Sequence, residues 1–193
     1  MTFVNTISKE AVAVMPKEVF PGRIVVVNSS EGLNEALTYL LTLSEIGFDT
    51  ETRPSFSKKI HHKMSLIQLS SEDTCFLIRL NSFKKFPKIL KNFLNNKDVK
   101  KIGLSLRDDF NRLSFLTKIY PENFIDLQNY VSQFGIEELS LIKIYAIVFG
   151  KKISKSKQLS NWDAEFLSLP QMCYAALDAW SCLRIYQFLE RSK

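Results

Sequence analysis

Asp49-Thr50-Glu51 sets two carboxylates two residues apart at the end of the apolar run Ile46-Gly47-Phe48. In an extended strand, residues i and i+2 share a face, so both acids project together from its C-terminal end. Two like charges held there repel each other and gain little from a hydrophobic core; a cation between them removes the conflict. A second acidic pair, Asp108-Asp109, opens what reads as a helix, a place where acids also complement the helix dipole. In Tyr174-x-x-x-Asp178, the i, i+4 spacing on a C-terminal helix stacks both side chains on one face. Singly, each has a plain structural account: a chance DxE, a helix-start acid, a core tyrosine near a solvated aspartate. Together Asp49, Glu51, Asp109 and Asp178 offer hard oxygen donors, the set preferred by Mg²⁺ or Mn²⁺. Two such ions ~3.5–4 Å apart are the usual clamp for phosphodiester cleavage.

These groups need a scaffold, and the hydrophobic pattern outlines one. Strands are expected over residues 23–27, 46–51, 64–69, 74–80, 99–103 and 124–127, with 64–69 and 74–80 joined as a hairpin through the polar turn at 70–73. Helical spacing links Leu33, Leu37, Leu40 and Leu41, with Asn28-Ser29-Ser30 as the cap. It links Phe86, Ile89, Leu90, Phe93 and Leu94, where Pro87 fits only the first turn, and then Leu106, Phe110, Leu113 and Leu116. Further helices are expected over 139–149 and from about 170 to 190, with a basic loop at 151–157 between them. Residues 1–22 show no clear period and end in Pro21-Gly22; they read as an N-terminal extension packed loosely on a domain of residues 23–193. One hairpin plus strand–helix–strand returns make this an α/β chain around a mixed sheet.

The length of 193 residues suits one domain, and 46% hydrophobic with 24% charged residues excludes a disordered or collagen-like chain. Lys and Arg outnumber Asp and Glu by 26 to 20, a net charge of +6, which is compatible with a polyanionic partner. No apolar run reaches the ~18–20 residues of a membrane helix, and the N-terminus lacks the pattern of a secretory signal, so a cytoplasmic protein with no membrane partner is expected. Cys75, Cys173 and Cys182 are far apart and odd in number, which argues for reduced thiols rather than a disulfide framework or zinc site. His61 and His62, flanked by Lys58, Lys59 and Lys63, read as a solvated basic loop rather than a metal site.

In order along the chain, IGFDTE, LIQLSS, KKIGLSLRDDFNRL, FIDL, LSNWDAEFLSLPQMCYAALDAW and IYQFLE resemble the 3′–5′ exonuclease domains of the ribonuclease D and Werner-type group. This is the tyrosine-bearing (DEDDy) subgroup of the DEDD superfamily, and the resemblance spans residues 24–190. It implies an RNase H-like fold, a mixed central β-sheet flanked by α-helices. It also implies hydrolysis of DNA or RNA from the 3′ end with two divalent ions, Mg²⁺ or Mn²⁺, releasing nucleoside 5′-monophosphates. On that resemblance Asp49, Glu51 and Asp178 hold the first metal ion and Asp49 also contacts the second. Asp109 supports the site, often through waters, and Tyr174 orients or helps deprotonate the attacking water. Family members commonly carry a small residue where Asp108 stands, so the choice of Asp109 follows the spacing from Gly103; a slip of one residue would make Asp108 the ligand.

The chain ends soon after its last expected helix, leaving no room for the helical nucleic-acid-binding domain of many ribonuclease D proteins. Substrate grip is then expected from this domain or from a partner. Lys58, Lys59 and Lys63 in one loop and Lys151, Lys152, Lys155 and Lys157 in another are the candidates for backbone contact, with solvated lysines as the alternative. Phe56 and residues 66–68 could stack or position the terminal nucleotide. Trp162 reads as a core anchor rather than a substrate wall, Asp126 matches no ligand position, and Asp163 looks like a helix or turn cap. Two competing functions remain: a catalytically inactive nucleic-acid-binding module of the same fold, and an endonuclease of that fold. The acid cluster argues against the first, and Tyr174 four residues before Asp178 against the second.

Overall fold

A computed structural model describes residues 2–55 and 62–193. Alternation along one strand, β2 (Glu45–Thr52), decides how the two faces of the sheet are used. Ile46 and Phe48 point into one core, shared with α2 (Ser30–Leu40), α3 (Lys88–Leu94) and α4 (Leu106–Ser114). Gly47, Asp49 and Glu51 point to the other face, which is covered by the long helix α7 (Leu169–Glu190). The sheet also contains β1 (Arg23–Val27), β3 (Met64–Ser70), β4 (Thr74–Arg79), β5 (Lys100–Gly103) and β6 (Phe124–Asp126), in the order β1-β4-β3-β2-β5-β6. Strand β3 runs antiparallel to both its neighbours, while the β1–β4, β2–β5 and β5–β6 pairs are parallel. The expected mixed α/β sheet and the β3–β4 hairpin are both present.

Local signals account for the helices that carry the site. The Ser168 backbone N–H and hydroxyl both donate to Gln171 Oε1, and Pro170 sits in the first turn, where a missing N–H costs nothing. From Tyr174 to Leu183 α7 is buried on every side, because it crosses β2, β3, β4 and β5 while α6 (Leu141–Phe149) packs against it. Ser105 enters α4 with a left-handed backbone (φ 61°) and makes no side-chain cap. The Asp126 carboxylate supplies the cap instead, accepting from Ser105 N (3.0 Å), Leu106 N (2.9 Å) and Gln128 N (3.0 Å). The last of these bonds ends β6 at Asp126 and starts α5 (Leu127–Tyr130), a short helix that apolar periodicity does not reveal.

Gly47 makes the approach of α7 possible. A Cβ there would stand 1.9 Å from the carbonyl oxygen of Ala179, the residue after Asp178. Gly47→Ala must therefore push α7 off β2, an overpacking cost of about 3 kcal/mol or more. A fall in melting temperature of roughly 6–12 °C is expected, read by circular dichroism, together with loss of the Asp49–Asp178 approach. An unchanged melting curve would contradict this packing.

Several boundaries differ from expectation. Pro87 is the N-cap of α3 rather than part of its first turn; α6 begins at Leu141, leaving Leu139 exposed; and β4 ends at Arg79, with Leu80 starting a 3-10 turn. Residues 2–22 are anchored at particular points despite their lack of period. They form α1 (Lys9–Ala13), bury Val12 and Glu18, and pair Lys17 with Lys152 in a parallel bridge. Lys101 is fully buried although it lies in a strand. Its Nζ donates to Asn96 O (2.6 Å) and Val99 O (2.8 Å) and lies over the Phe124 ring, and burial brings its pKa down to about 8. The three cysteines are free, and among the described residues no helix is long and apolar enough to cross a membrane.

Candidate active site

Strand β2 delivers Asp49 and Glu51, and α7 delivers Asp178 from directly above. One carboxylate oxygen of each lies within 4.8 Å of the other two. Glu51 and Asp178 are buried and Asp49 is half-buried. At about 5 Å and an effective dielectric near 20, each charged pair repels by roughly 3 kcal/mol. The acidities follow. Burial first, then the charges of Asp178 and Asp109, hold Asp49 well above the ordinary carboxylate range. Burial and the neighbouring carboxylates push Glu51 to about 10. Burial pushes Asp178 to about 7, against the opposing hydrogen bond from Tyr174 and the charge of Lys155. A divalent cation fits this cluster: the donors are all hard oxygens, they converge, and they resist ionising together without positive charge.

Tyr174, one turn before Asp178, is buried and hydrogen-bonds it. Burial and then the Asp178 and Glu51 charges raise its hydroxyl far above 10, so it is a proton donor at neutral pH. Asp109 stands outside the tight trio, on α4, and accepts from the Thr50 hydroxyl between the two β2 acids. Burial raises Asp109 to about 6, against the Thr50 bond and the Arg112 charge. Asp108 is exposed and turns into a separate cavity, so the structure presents Asp109, not Asp108, to the cluster.

A cavity of about 270 Å³ opens over the trio, walled by Leu104, Leu141 and Ile142 on one side and by Ile153, Ser154, Lys155 and Gln158 on the other. Lys155 is thus the member of the 151–157 loop that reaches the acids. Lys151 and Lys152, expected to contact nucleic acid, are instead tied to the N-terminal segment through Glu18 and the Ala13 carbonyl. Lys157 is half-buried further along the loop. A second cavity of about 730 Å³ lies beyond Thr52 and collects Arg53, His62, Lys63 and Arg112 beside Phe115, whose side chain is 85% exposed. Arg53, Arg112 and Phe115 were not singled out by the sequence reading. Phe115, an aromatic residue at the C-cap of α4 beside the basic Arg112, was the available signal.

Other expectations need correction. Leu66 and Gln68 cannot stack on a nucleotide, because both are sealed between β3 and α7. Asp163 is no cap: it accepts from the Ser65 hydroxyl at 2.6 Å, in a loop that Arg79 holds through the carbonyls of Ala164 and Glu165. Trp162 is a core residue, 1% exposed, with its ring 6.1 Å from Tyr174. Phe56, Lys58, Lys59 and His61 lie outside the described residues.

The sequence pattern of the 3′–5′ exonuclease family matches residues 24–192. The chain belongs to that family. It is 33% identical over 179 residues to the mouse (Mus musculus) bifunctional 3′–5′ exonuclease/ATP-dependent helicase WRN, covering 88% of this chain and 13% of that protein. It is 30% identical over 192 residues to the Aedes aegypti exonuclease mut-7 homolog, covering 86% of this chain and 26% of that protein. The chain therefore spans a small part of those relatives. Among solved structures, the Aedes aegypti Nibbler EXO domain superposes with a TM-score of 0.79 at 27% identity, covering 90% of this chain and 91% of that one. Escherichia coli RNase D, at 20% identity and a TM-score of 0.76, covering 88% of this chain and 46% of that one, shares the fold. The architecture of this exonuclease domain is RNase H-like, as the sequence motifs imply.

Proposed function

We propose that this exonuclease domain hydrolyses DNA or RNA from the 3′ end and releases nucleoside 5′-monophosphates by a two-metal, tyrosine-assisted (DEDDy) route. The convergence of Asp49, Glu51 and Asp178 within 4.8 Å is the observation that carries this reading. These three would hold Mg²⁺ or Mn²⁺, with Asp109 completing the set from α4. Such ions, when bound, make water nucleophilic at neutral pH and offset charge on the reacting phosphate.

The protein's own groups have distinct tasks. The Tyr174 hydroxyl, kept protonated by burial and the neighbouring carboxylates, is suited to orient a water for attack on phosphorus. As the new oxygen–phosphorus bond forms, the bond to the 3′ oxygen of the preceding nucleotide breaks and leaves a 3′-hydroxyl. Lys155 brings a cation to the rim, where a non-bridging phosphate oxygen would sit. Arg53, Lys63 and Arg112, with the exposed Phe115, suit backbone contact and base stacking for the strand behind the terminal nucleotide. Against an inactive binding module stands the cost of the acid cluster, which nucleic-acid binding alone does not require and its polyanionic backbone makes worse.

A 5′-labelled oligonucleotide, as DNA and as RNA, with Mg²⁺, Mn²⁺ or EDTA tests the proposal. A descending ladder that needs the metal is expected, with a circular substrate left intact. No metal-dependent products would sink the proposal, and cut circles would indicate an endonuclease. In the same assay Tyr174→Phe should lower kcat by about 10- to 100-fold with substrate affinity unchanged. Equal losses of rate and affinity would contradict an orienting role.

A further inference from the structure

The loop that carries Lys155 is held at both ends. At its far end the Trp162 indole donates to the Gln158 carbonyl at 3.5 Å. At its near end the anchor comes from the N-terminal segment, outside residues 24–192 that match the family. Glu18 N donates to Lys152 O (2.8 Å) and Lys152 N to Pro16 O (3.0 Å), a short parallel pairing of the two segments. The Glu18 carboxylate is almost fully buried and accepts from Lys151 Nζ (3.1 Å), the Tyr145 hydroxyl (2.9 Å) and Arg184 Nη1 (2.8 Å). Burial acts to raise the pKa of Glu18, yet the bonds from Lys151 and Tyr145 leave it below the ordinary glutamate value. Arg184 is itself fixed, with its guanidinium 4.8 Å from the Trp180 ring and 4.6 Å from the Phe149 ring. One carboxylate thus fastens the segment before β1 to α6, to α7 and to the start of the Lys155 loop.

We propose that Glu18 is a positioning residue for the active site: by pinning Lys151 and Lys152, it fixes the loop that sets Lys155 over Asp178. The inference deepens the exonuclease reading above and rests on it. Without Glu18, Lys151 and Arg184 lose their shared anion, the Lys17–Lys152 pairing is left with backbone bonds alone, and residues 153–158 gain freedom. Lys155 then spends less time facing the phosphate, so the rate falls although no group that touches substrate has changed.

A double-mutant cycle on the full chain, combined with amide hydrogen exchange, tests this. Glu18→Ala should lower kcat by about tenfold in the otherwise native protein, but by less than about twofold when Lys155→Ala is already present. Exchange at residues 152–158 should speed up while β2 and β3 amides stay protected. Glu18→Gln keeps the shape and can still accept from Tyr145, so it should fall between; it also replaces Glu18→Ala if that variant does not fold. A tenfold loss that persists with Lys155→Ala, or unchanged exchange in the loop, would overturn the proposal. Absence of cleavage by the native chain would remove the exonuclease reading, while the exchange measurement still decides whether Glu18 holds the loop.

Discussion

Asp178→Asn is expected to lower the metal-dependent hydrolysis rate by about 10³-fold or more, equivalent to roughly 4 kcal/mol of lost transition-state stabilisation. The substitution keeps the volume of the side chain and leaves an oxygen that can still accept from Tyr174, so α7 stays where Gly47 allows it. It removes one of three converging charges, and an amide oxygen is a weaker donor to a divalent ion than a carboxylate. Asp49→Asn should do at least as much damage, because Asp49 feels the charges of both Asp178 and Asp109. Single-turnover rates in Mn²⁺ with saturating protein measure the effect free of product release. A variant within tenfold of the native rate would show that Asp178 is not a ligand of the reacting ion.

The second large effect is on stability. Folding raises Asp178 to about 7 and Asp109 to about 6, both above the ordinary aspartate value. The folded state therefore binds more protons than the unfolded chain between about pH 4 and those values. The stability these groups contribute when protonated is lost as pH rises through that window. In EDTA, Asp178→Asn should melt about 5 °C above the native chain at pH 8 and level with it near pH 4. Millimolar Mn²⁺ should reverse the order at pH 8 by stabilising the native chain and leaving the variant unmoved. A variant that melts lower than the native protein in EDTA at pH 8 would show that burial does not penalise the ionised Asp178 carboxylate in the fold.

Much of this arrangement is written in local patterns. The alternation Ile46, Phe48 against Asp49, Glu51 gives both the strand and the face, and Tyr174 and Asp178 at i, i+4 give the helix and its orientation. The convergence of the two is another matter, since it depends on Gly47, whose missing side chain shows only when Ala179 is seen above it. The choice between Asp108 and Asp109 was open in the sequence because both sit in one helical turn. It is decided by the Thr50 hydroxyl and by the angle at which the Asp126 carboxylate starts α4, both long-range contacts. The lysines were the least legible. Lys101 looks like a solvated strand residue and is buried over an aromatic ring, while Lys151 and Lys152 look like a basic track and are bound to residues more than 130 positions away. Charge along a sequence marks where cations are plentiful; only the fold shows which already have a carboxylate or carbonyl partner.

The most direct measurement is anomalous diffraction from crystals grown with Mn²⁺ and a nucleoside 5′-monophosphate. Manganese peaks should lie within direct coordination range of Asp49, Glu51 and Asp178, with one ion between the phosphate and the β2 acids. Empty density among those three carboxylates at millimolar Mn²⁺, with the nucleotide bound elsewhere, would contradict the metal site on which the proposed chemistry depends.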